Sequence, residues 1–278
     1  MFRGFYTVAS GMLAQQRKTE MLTNNMANVN TPGFKAEQSS IRSFPEMLMS
    51  SVQSTHIPSE NGFNMKGIAT FGPLSTGVYM KETMPLFIQG QLQETELTTD
   101  VALVDGFLPV DEETGIQGAV FFTLENDAGG TYYTRNGNFA LDANGFLTSS
   151  SGYYVLDSEG NRIALQGDDF RVTESGVIME DDNDVATLGI SFAARPDALM
   201  KQGDGLFVTE TGENLVAVNT IPNATYSIQQ GFVERSNVDA GRTMTDLLTA
   251  YRAFEANQKV LQAYDRSMEK AVNEVGRV

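Results

Sequence analysis

An α+β fold is predicted, in which long amino- and carboxyl-terminal helices form a paired helical arm and an all-β, sandwich- or barrel-like domain is inserted between them. Three observations carry that prediction. Apolar residues recur at alternating spacings of three and four near the front of the chain, at Phe5, Val8, Met12, Leu22, Met26 and Val29. At the other end every seventh residue from Leu247 through Phe254, Leu261 and Met268 to Val275 is apolar. Between the two, turn signals recur about every ten residues with no helical block among them, the pattern of an all-β domain.

The first helix is expected over residues 2–29, with Gln15 and Thr19 as polar gaps in its seam. Asn28 and Asn30 read as left-handed stop residues. Pro32 cannot continue a helix and pushes Thr31 into an extended conformation, and Gly33 frees the backbone to turn. A positive φ is expected at Gly33. Phe34, a large apolar residue just past the stop, is expected to anchor the exit direction by packing. Because the β-domain lies far away in sequence, Gly33→Val is expected to disturb assembly more than β-domain stability.

Residues 36–80 read as an extended linker rich in Ser, Gly and Thr. Ile41, Phe44, Met47, Leu48 and Val52 suit a short piece, helical or extended, and Ser54–Gly62, with the lone histidine His56, reads as loop. The β-domain is placed at 81–231. Val120–Leu124 is rich in strand formers, and Asn126–Gly130 reads as a turn leading into Thr131–Thr134. Asn136-Gly137 and Asn144-Gly145 are tight-turn dipeptides, and Ser158–Asn161 reads as a further turn. More strands are expected at Phe170–Thr173, Gly176–Met179, Val185–Phe192, Leu206–Thr209 and Leu215–Val218.

Residues 232–278 complete the helical domain. Gly and Pro are absent from Arg242 to Val275, and a helix of about 40 residues would reach roughly 60 Å. A companion seam is read at Met244, Tyr251, Gln258, Asp265 and Val272, apolar at three of its five positions. A front helix of about 28 residues cannot cover a back helix of about 40, since both rise equally per residue. Some apolar surface of the back helix is therefore expected to pack on other copies, and contacts of that kind which do not close give helical polymers. Phe5, Met12, Leu22, Met26, Leu247, Tyr251, Phe254, Leu261 and Met268 are the candidate assembly residues. In the unassembled chain the ends are expected to be mobile and the middle rigid.

Charge follows the same division. Residues 1–50 hold five basic and three acidic residues, 232–278 hold seven of each, and the middle carries the rest of a net charge of −16. An acidic middle repels nucleic acid, while near-neutral helical ends can pack closely on copies of themselves. Hydrophobic content of 41% and charged content of 19% are those of a folded chain. No apolar run is long enough to span a bilayer, and the stretch after Met1-Phe2-Arg3 is broken by Gly4, Thr7, Ser10 and Gly11, so no cleaved signal peptide is expected. The absence of cysteine excludes disulfides, thiolate metal sites and cysteine nucleophiles.

Three stretches resemble the bacterial flagellar rod and hook proteins. Asn24-Asn25-Met26-Ala27-Asn28-Val29-Asn30-Thr31-Pro32-Gly33-Phe34-Lys35 is similar to their amino-terminal signature. Tyr133-Thr134-Arg135-Asn136-Gly137-Asn138-Phe139-Ala140-Leu141-Asp142, followed by Gly145, Leu147 and Gly152–Leu156, resembles the core of their β-domain. Ser236-Asn237-Val238, with Tyr251–Val260, resembles their terminal helix. The stretches fall in the family's order and cover 61 of 278 residues. Where the family usually reads "LDxAIxGxGFF", this chain has Leu86–Gly90 and then Asp100–Phe107.

The resemblance implies a structural subunit of the flagellar basal-body rod, of the distal or proximal type, built into a helical tube that transmits motor torque to the hook. Hook proteins usually carry a further outer β-domain, for which 278 residues leave no room. Implied partners are copies of itself, other rod and hook subunits and the flagellar type III export apparatus, which cleaves no signal. The implied place is the basal body, outside the cytoplasm. The second reading is an extracellular or envelope carbohydrate-binding module on a helical anchor.

Catalytic chemistry finds little support. His56 lies in a polar stretch far from any nucleophile-elbow pattern. Asp181-Asp182-Asn183-Asp184 lacks the glycine at the sixth loop position of a calcium loop, and Phe192 stands at the twelfth, where a bidentate Glu is required. Gly129-Gly130 and Gly203-Asp204-Gly205 lack phosphate-loop spacing. No carboxylate pair is singled out among 35 acids. No enzyme activity, cofactor or metal is expected.

Overall fold

A computed structural model describes residues 2–57, 63–112, 115–126, 129–181 and 183–275. The chain falls into two compact units. One gathers Met1–Asn24, Gln38–Thr83 and Gly241–Val278; the other gathers Asn25–Glu37 and Met84–Ala240.

In the first unit the helix α1, Phe2–Ala27, has 26 residues, and α2, Ala240–Lys270, has 31, ending in a wider turn over Ala271–Val275. The difference in length is smaller than the sequence suggests. Met21 and Leu22 of α1 pack with Met80, Ala250 and Leu247 in one apolar cluster. Further toward the start of α1, a side chain on Gly11 would touch Asn257 at 3.4 Å, and one on Gly4 would collide with the Tyr264 ring. The inward face of α2 thus includes Thr243, Ala250, Asn257 and Tyr264 beside the Leu247, Phe254, Leu261 and Met268 series. The companion seam is placed one residue too late by sequence reading: Met244, Tyr251 and Val272 are exposed. Small or polar residues hold the true positions, so apolar periodicity could not reveal them.

Within residues 36–80 the described stretches are largely paired strand, and residues 58–62 of the expected loop lie outside the described residues. Met47–Ile57 pairs along its length with Phe63–Leu74 in an antiparallel ladder, and Ile41–Ser43 pairs with Val78–Met80. The stretch Ser54–Ile57, expected as loop, is therefore strand, and Ile41 lies in extended rather than helical backbone. Polar Ser, Thr and Gln side chains hide the pattern, while the ladder satisfies the backbone groups regardless of what they carry.

The second unit centres on the strand Ala119–Glu125. It pairs along one edge with Thr131–Thr134 and along the other with Tyr154–Val155 and Ile190–Ala193. The antiparallel sheet extends through Leu206–Thr209 and Leu199–Lys201 on one side, and through Leu147–Ser149 and Phe139–Leu141 on the other. Both faces of the central strand are buried, which is why it reads as a continuous apolar run. Val120, Phe122 and Leu124 enter the larger core, and Ala119 and Phe121 enter a second with Tyr133, Ala193, Leu199 and Phe207. A three-stranded sheet of Arg171–Val172, Val177–Glu180 and Asn183–Thr187 lies in the same unit.

Two further expectations change here. Val185–Phe192 is broken at Leu188-Gly189, where a Cβ on Gly189 would lie 2.5 Å from the Asp157 carbonyl oxygen. Asn144-Gly145 does turn the Phe139–Leu141 strand onto Leu147–Ser149, but Asn136-Gly137 joins strands that do not pair with each other. Gly137 instead accepts a hydrogen bond from Val101 N at 2.9 Å. Two further short ladders lie in the unit: Val101–Asp105 with Tyr226–Gln230, and Leu92–Glu94 with Phe232–Glu234. Their last residues, Asp105 and Glu234, enter the site described next.

Candidate functional site: a buried charge cluster joining distant segments

The site begins where α1 stops. After Ala27 the turn bonds run Asn28 N to Asn25 O at 3.2 Å and Thr31 N to Asn28 O at 3.2 Å. Asn28 and Asn30 are not left-handed, contrary to the reading above; that conformation falls to Gly33, with φ +69°. Asn28 works through its side chain, accepting a 3.1 Å hydrogen bond from the Thr31 hydroxyl. Thr31-Pro32-Gly33-Phe34 closes with Phe34 N donating to Thr31 O at 3.3 Å. A type II turn requires a positive φ at its third position and commonly has proline at its second, as here.

The turn delivers Gly33, Phe34 and Lys35 into the β-rich unit, and all three are buried. Gly33 N donates to Glu234 O at 2.7 Å. A Cβ on Gly33 would lie 2.6 Å from the carbonyl carbon of Arg135 and collide with the backbone of Asn136. Glycine is thus required twice, for its φ and for this close approach. Phe34 has the Lys201 ammonium 4.3 Å from its ring centroid, and Lys201 also pairs with Glu37 at 2.8 Å.

Lys35 leads to the cluster itself. Its Nζ lies 2.6 Å from Glu234 Oε1 and donates to Ile88 O at 2.9 Å. Glu234 Oε1 also accepts from Gly90 N at 2.7 Å, and Oε2 accepts from Arg135 Nε at 2.9 Å. The Arg135 guanidinium then reaches Asp105 through both terminal nitrogens, at 2.7 and 3.2 Å, and donates to Val120 O and Leu103 O. All five of its N–H donors have acceptors, as a buried guanidinium demands. The Lys35, Arg135 and Glu234 side chains are 1–2% exposed and Asp105 is 17% exposed. Two cations and two anions make the cluster neutral.

Electrostatics follow from burial and pairing. Burial alone would raise the Glu234 carboxyl, but Arg135 and Lys35 outweigh it and hold the pKa below the usual carboxylate range. Burial, with repulsion from Arg135, pulls the Lys35 ammonium down against the attraction of Glu234. Burial would also lower the Arg135 guanidinium, and Glu234 and Asp105 more than restore it. Every donor of Arg135 and both carboxylate oxygens of Glu234 are engaged within the chain, and among the described residues no group of three or more His, Cys, Asp or Glu is placed to hold a metal ion.

Two asparagines tie neighbouring backbone to it. Asn25 donates to Glu37 O and accepts from Glu37 N, both at 2.9 Å. Asn237 accepts from Ala36 N at 2.7 Å and donates to Leu86 O at 2.8 Å and Ile88 O at 3.1 Å. Segments 25–37, 84–90, 135–137 and 234–237 are thereby held in one network.

Three family models match the chain, each at a stretch that supplies one charge of this cluster. "Flagella basal body rod protein" matches residues 5–35, which include Lys35. "Flagellar hook protein FlgE/F/G D1 domain" matches 115–180, with Arg135, and "Flagellar basal body rod FlgEFG protein C-terminal" matches 229–274, with Glu234. The flagellar hook-basal body complex protein FlhO of Bacillus subtilis is 40% identical over 278 residues, the full length of both chains. The flagellar basal-body rod protein FlgG of Agrobacterium fabrum is 31% identical over 271 residues, covering 95% of each. FlgG of Bacillus subtilis is 30% identical over 285 aligned positions, covering 98% of this chain and 99% of the relative. The chain belongs to the flagellar basal-body rod protein family. With that membership goes its place, the flagellar basal body outside the cytoplasm.

In this rod-family protein the candidate assembly residues divide. Leu22 is buried, while Phe5, Met12, Met26, Leu247, Phe254, Leu261 and Met268 are half-buried. Tyr251 is 50% exposed and shares its side of α2 with Met244 and Leu248, also exposed. His56 lies on the strand Met47–Ile57, and Asp181 and Asn183 flank a turn whose Asp182 lies outside the described residues. Sequence reading took Lys35 and Arg135 as parts of motifs and gave no role to Asp105 or Glu234. A charged residue directly after a helix stop, and another before Asn136-Gly137, were the available signals. No local pattern pairs residues 199 apart, as Lys35 and Glu234 are.

Proposed function

We propose that this chain is a structural subunit of the flagellar rod, self-assembling through its terminal helices into a helical tube that passes motor torque to the hook. In this reading α1 and α2 form a paired arm, the β-rich unit is a sandwich- or barrel-like body, and no reaction is catalysed. Partners are further copies, other rod and hook subunits, and the type III apparatus that exports the chain. The Asn28–Phe34 turn sets the direction in which the chain leaves the arm. The single observation that supports assembly most is the set of exposed apolar side chains on both helices: Met244, Leu248, Tyr251, Val260 and Val272 on or just after α2, and Tyr6 and Leu13 on α1. Side chains of this size facing water in an acidic, charged chain suit contact with another subunit.

The experiment replaces Leu248 and Tyr251 together with Asp in the full chain. Both face solvent, so the monomer's melting temperature should hold while basal bodies isolated from the strain lack complete rods under the electron microscope. Complete rods and normal swimming in the double variant would remove this face from the interface. Replacing Leu247 or Phe254 is less informative, since both are half-buried and Leu247 packs on the apolar cluster of α1, so that a change there also weakens the monomer.

A further inference from the structure

Four donors in the β-rich unit wait on a single late residue. Lys35 Nζ, Arg135 Nε and Gly90 N all donate to the Glu234 carboxylate, and Gly33 N donates to its carbonyl. Until Glu234 is in place, Lys35 and Arg135 share one carboxylate, Asp105, which the structure shows engaged by Arg135 alone. Lys35 would then be a buried ammonium with only the Ile88 carbonyl as partner. A buried, unpaired cation is far more costly than a solvated one, so segment 33–37 stays open until the anion arrives. Asn237, which bonds Ala36, Leu86 and Ile88, lies three residues beyond and arrives with it.

The central sheet has no such dependence. Ala119–Glu125 is bonded to Thr131–Thr134, Tyr154–Val155 and Ile190–Ala193, all well ahead of residue 234 in the chain. Its core of Val120, Phe122, Leu124, Phe139, Leu147 and Val155 is apolar. Contacts between near segments form before those that close long loops.

We infer that Glu234 is the closing element of the fold: the sheet of the β-rich unit forms first, and segments 33–37 and 84–90 lock only when the strand Phe232–Glu234 docks. A chain that emerges amino-terminus first, from a ribosome or an export channel, therefore keeps its amino-terminal signature unlocked until nearly the whole chain is available. For a rod subunit this delays closure until the residues leading into α2 are present. That consequence rests on the function proposed above; the order of folding does not.

The test is pulsed hydrogen exchange during refolding of the full-length chain, read amide by amide. The amides of Thr123 and Leu156, bonded within the sheet region, should become protected in an early phase. Those of Gly33, Gly90 and Arg235 should follow together in a later one. In Glu234→Gln the early phase should be unchanged, while the locked state falls roughly a hundredfold or more in population relative to the open one. Lys35→Met in the Glu234→Gln background restores charge balance against Asp105 and should recover much of the late protection. Protection of Gly33 and Gly90 in the same phase as Thr123 would overturn the inference. So would a Glu234→Gln chain that locks as fully as the wild type, or a double variant no better than the single one. None of these outcomes bears on rod assembly, which the Leu248 and Tyr251 substitutions read separately.

Discussion

The charge cluster around Glu234 and the outer face of α2 depart from ordinary burial in opposite directions. Lys35, Arg135 and Glu234 are charges removed from water, and Met244, Leu248 and Tyr251 are apolar side chains left in it. The first departure is resolved inside the chain: Arg135 has acceptors for every donor, and the four charges cancel. Nothing within the described residues covers the second. The comparison teaches that a buried charge and an exposed apolar row call for different explanations. One is a specificity device that fixes which distant segments meet; the other fits a surface awaiting a partner.

Substitutions can break this contrast from either side. The largest effect is expected for Glu234→Ala, which leaves the buried Lys35 ammonium without an anion and Arg135 with Asp105 alone, and should cost about 3–5 kcal/mol in denaturant unfolding of the β-rich unit. A loss below about 1 kcal/mol would show the cluster is not the tie that its geometry implies.

Gly33→Val comes next. Read from sequence, this change disturbs assembly more than the stability of the β-rich unit; the structure adds a direct effect on that unit, because Gly33 packs on Arg135 and Asn136. The positive φ alone costs about 1–3 kcal/mol for a non-glycine residue, and the backbone collision adds to it. Melting of the purified chain should drop accordingly, and an unchanged melting curve would contradict the packing described for this turn.

Acid should sharpen the same point. The Glu234 carboxyl is held below the ordinary glutamate value of about 4.5 by Arg135 and Lys35, despite burial. A depressed carboxylate stabilises fully above its unfolded pKa and loses that contribution as pH falls through the folded one. Stability should therefore decline below about pH 4.5 as the carboxylate binds its proton. In Glu234→Gln the decline should be shallower, and an identical acid profile would remove Glu234 from the explanation.

Smaller still is Lys201→Met, which loses the ammonium over Phe34 and its pairing with Glu37, for about 0.5–1 kcal/mol. At the end of the scale, Leu248→Asp with Tyr251→Asp should stay within about 0.5 kcal/mol of wild type in monomer unfolding. A large loss there would mean that the outer face of α2 is packed within the monomer.

The sequence made some of this legible. The heptad series Leu247, Phe254, Leu261 and Met268 marks an inward stripe because apolar residues repeat there without interruption. The strand pattern of Val120–Leu124 and the turn at Asn144-Gly145 were readable for equally local reasons. Gly33's positive φ followed from its place after Pro32. The rest depended on interactions that leave no periodic trace. The second inward row of α2 is hidden by Thr243, Asn257 and Tyr264. The Met47–Ile57 ladder is hidden by polar side chains on a backbone that pairs regardless. Nothing near Asp105 or Glu234 announces a buried cation, since their partners lie on other segments.

Native-state hydrogen exchange on the full chain tests the cluster most directly. The Gly33 and Gly90 amides lie outside the main sheet, yet both donate to Glu234. If the cluster ties the signature segments into the β-rich unit, these two amides should exchange as slowly as the sheet amide of Thr123, through global unfolding alone. Exchange as fast as that of a surface turn such as Gly160 would contradict the account.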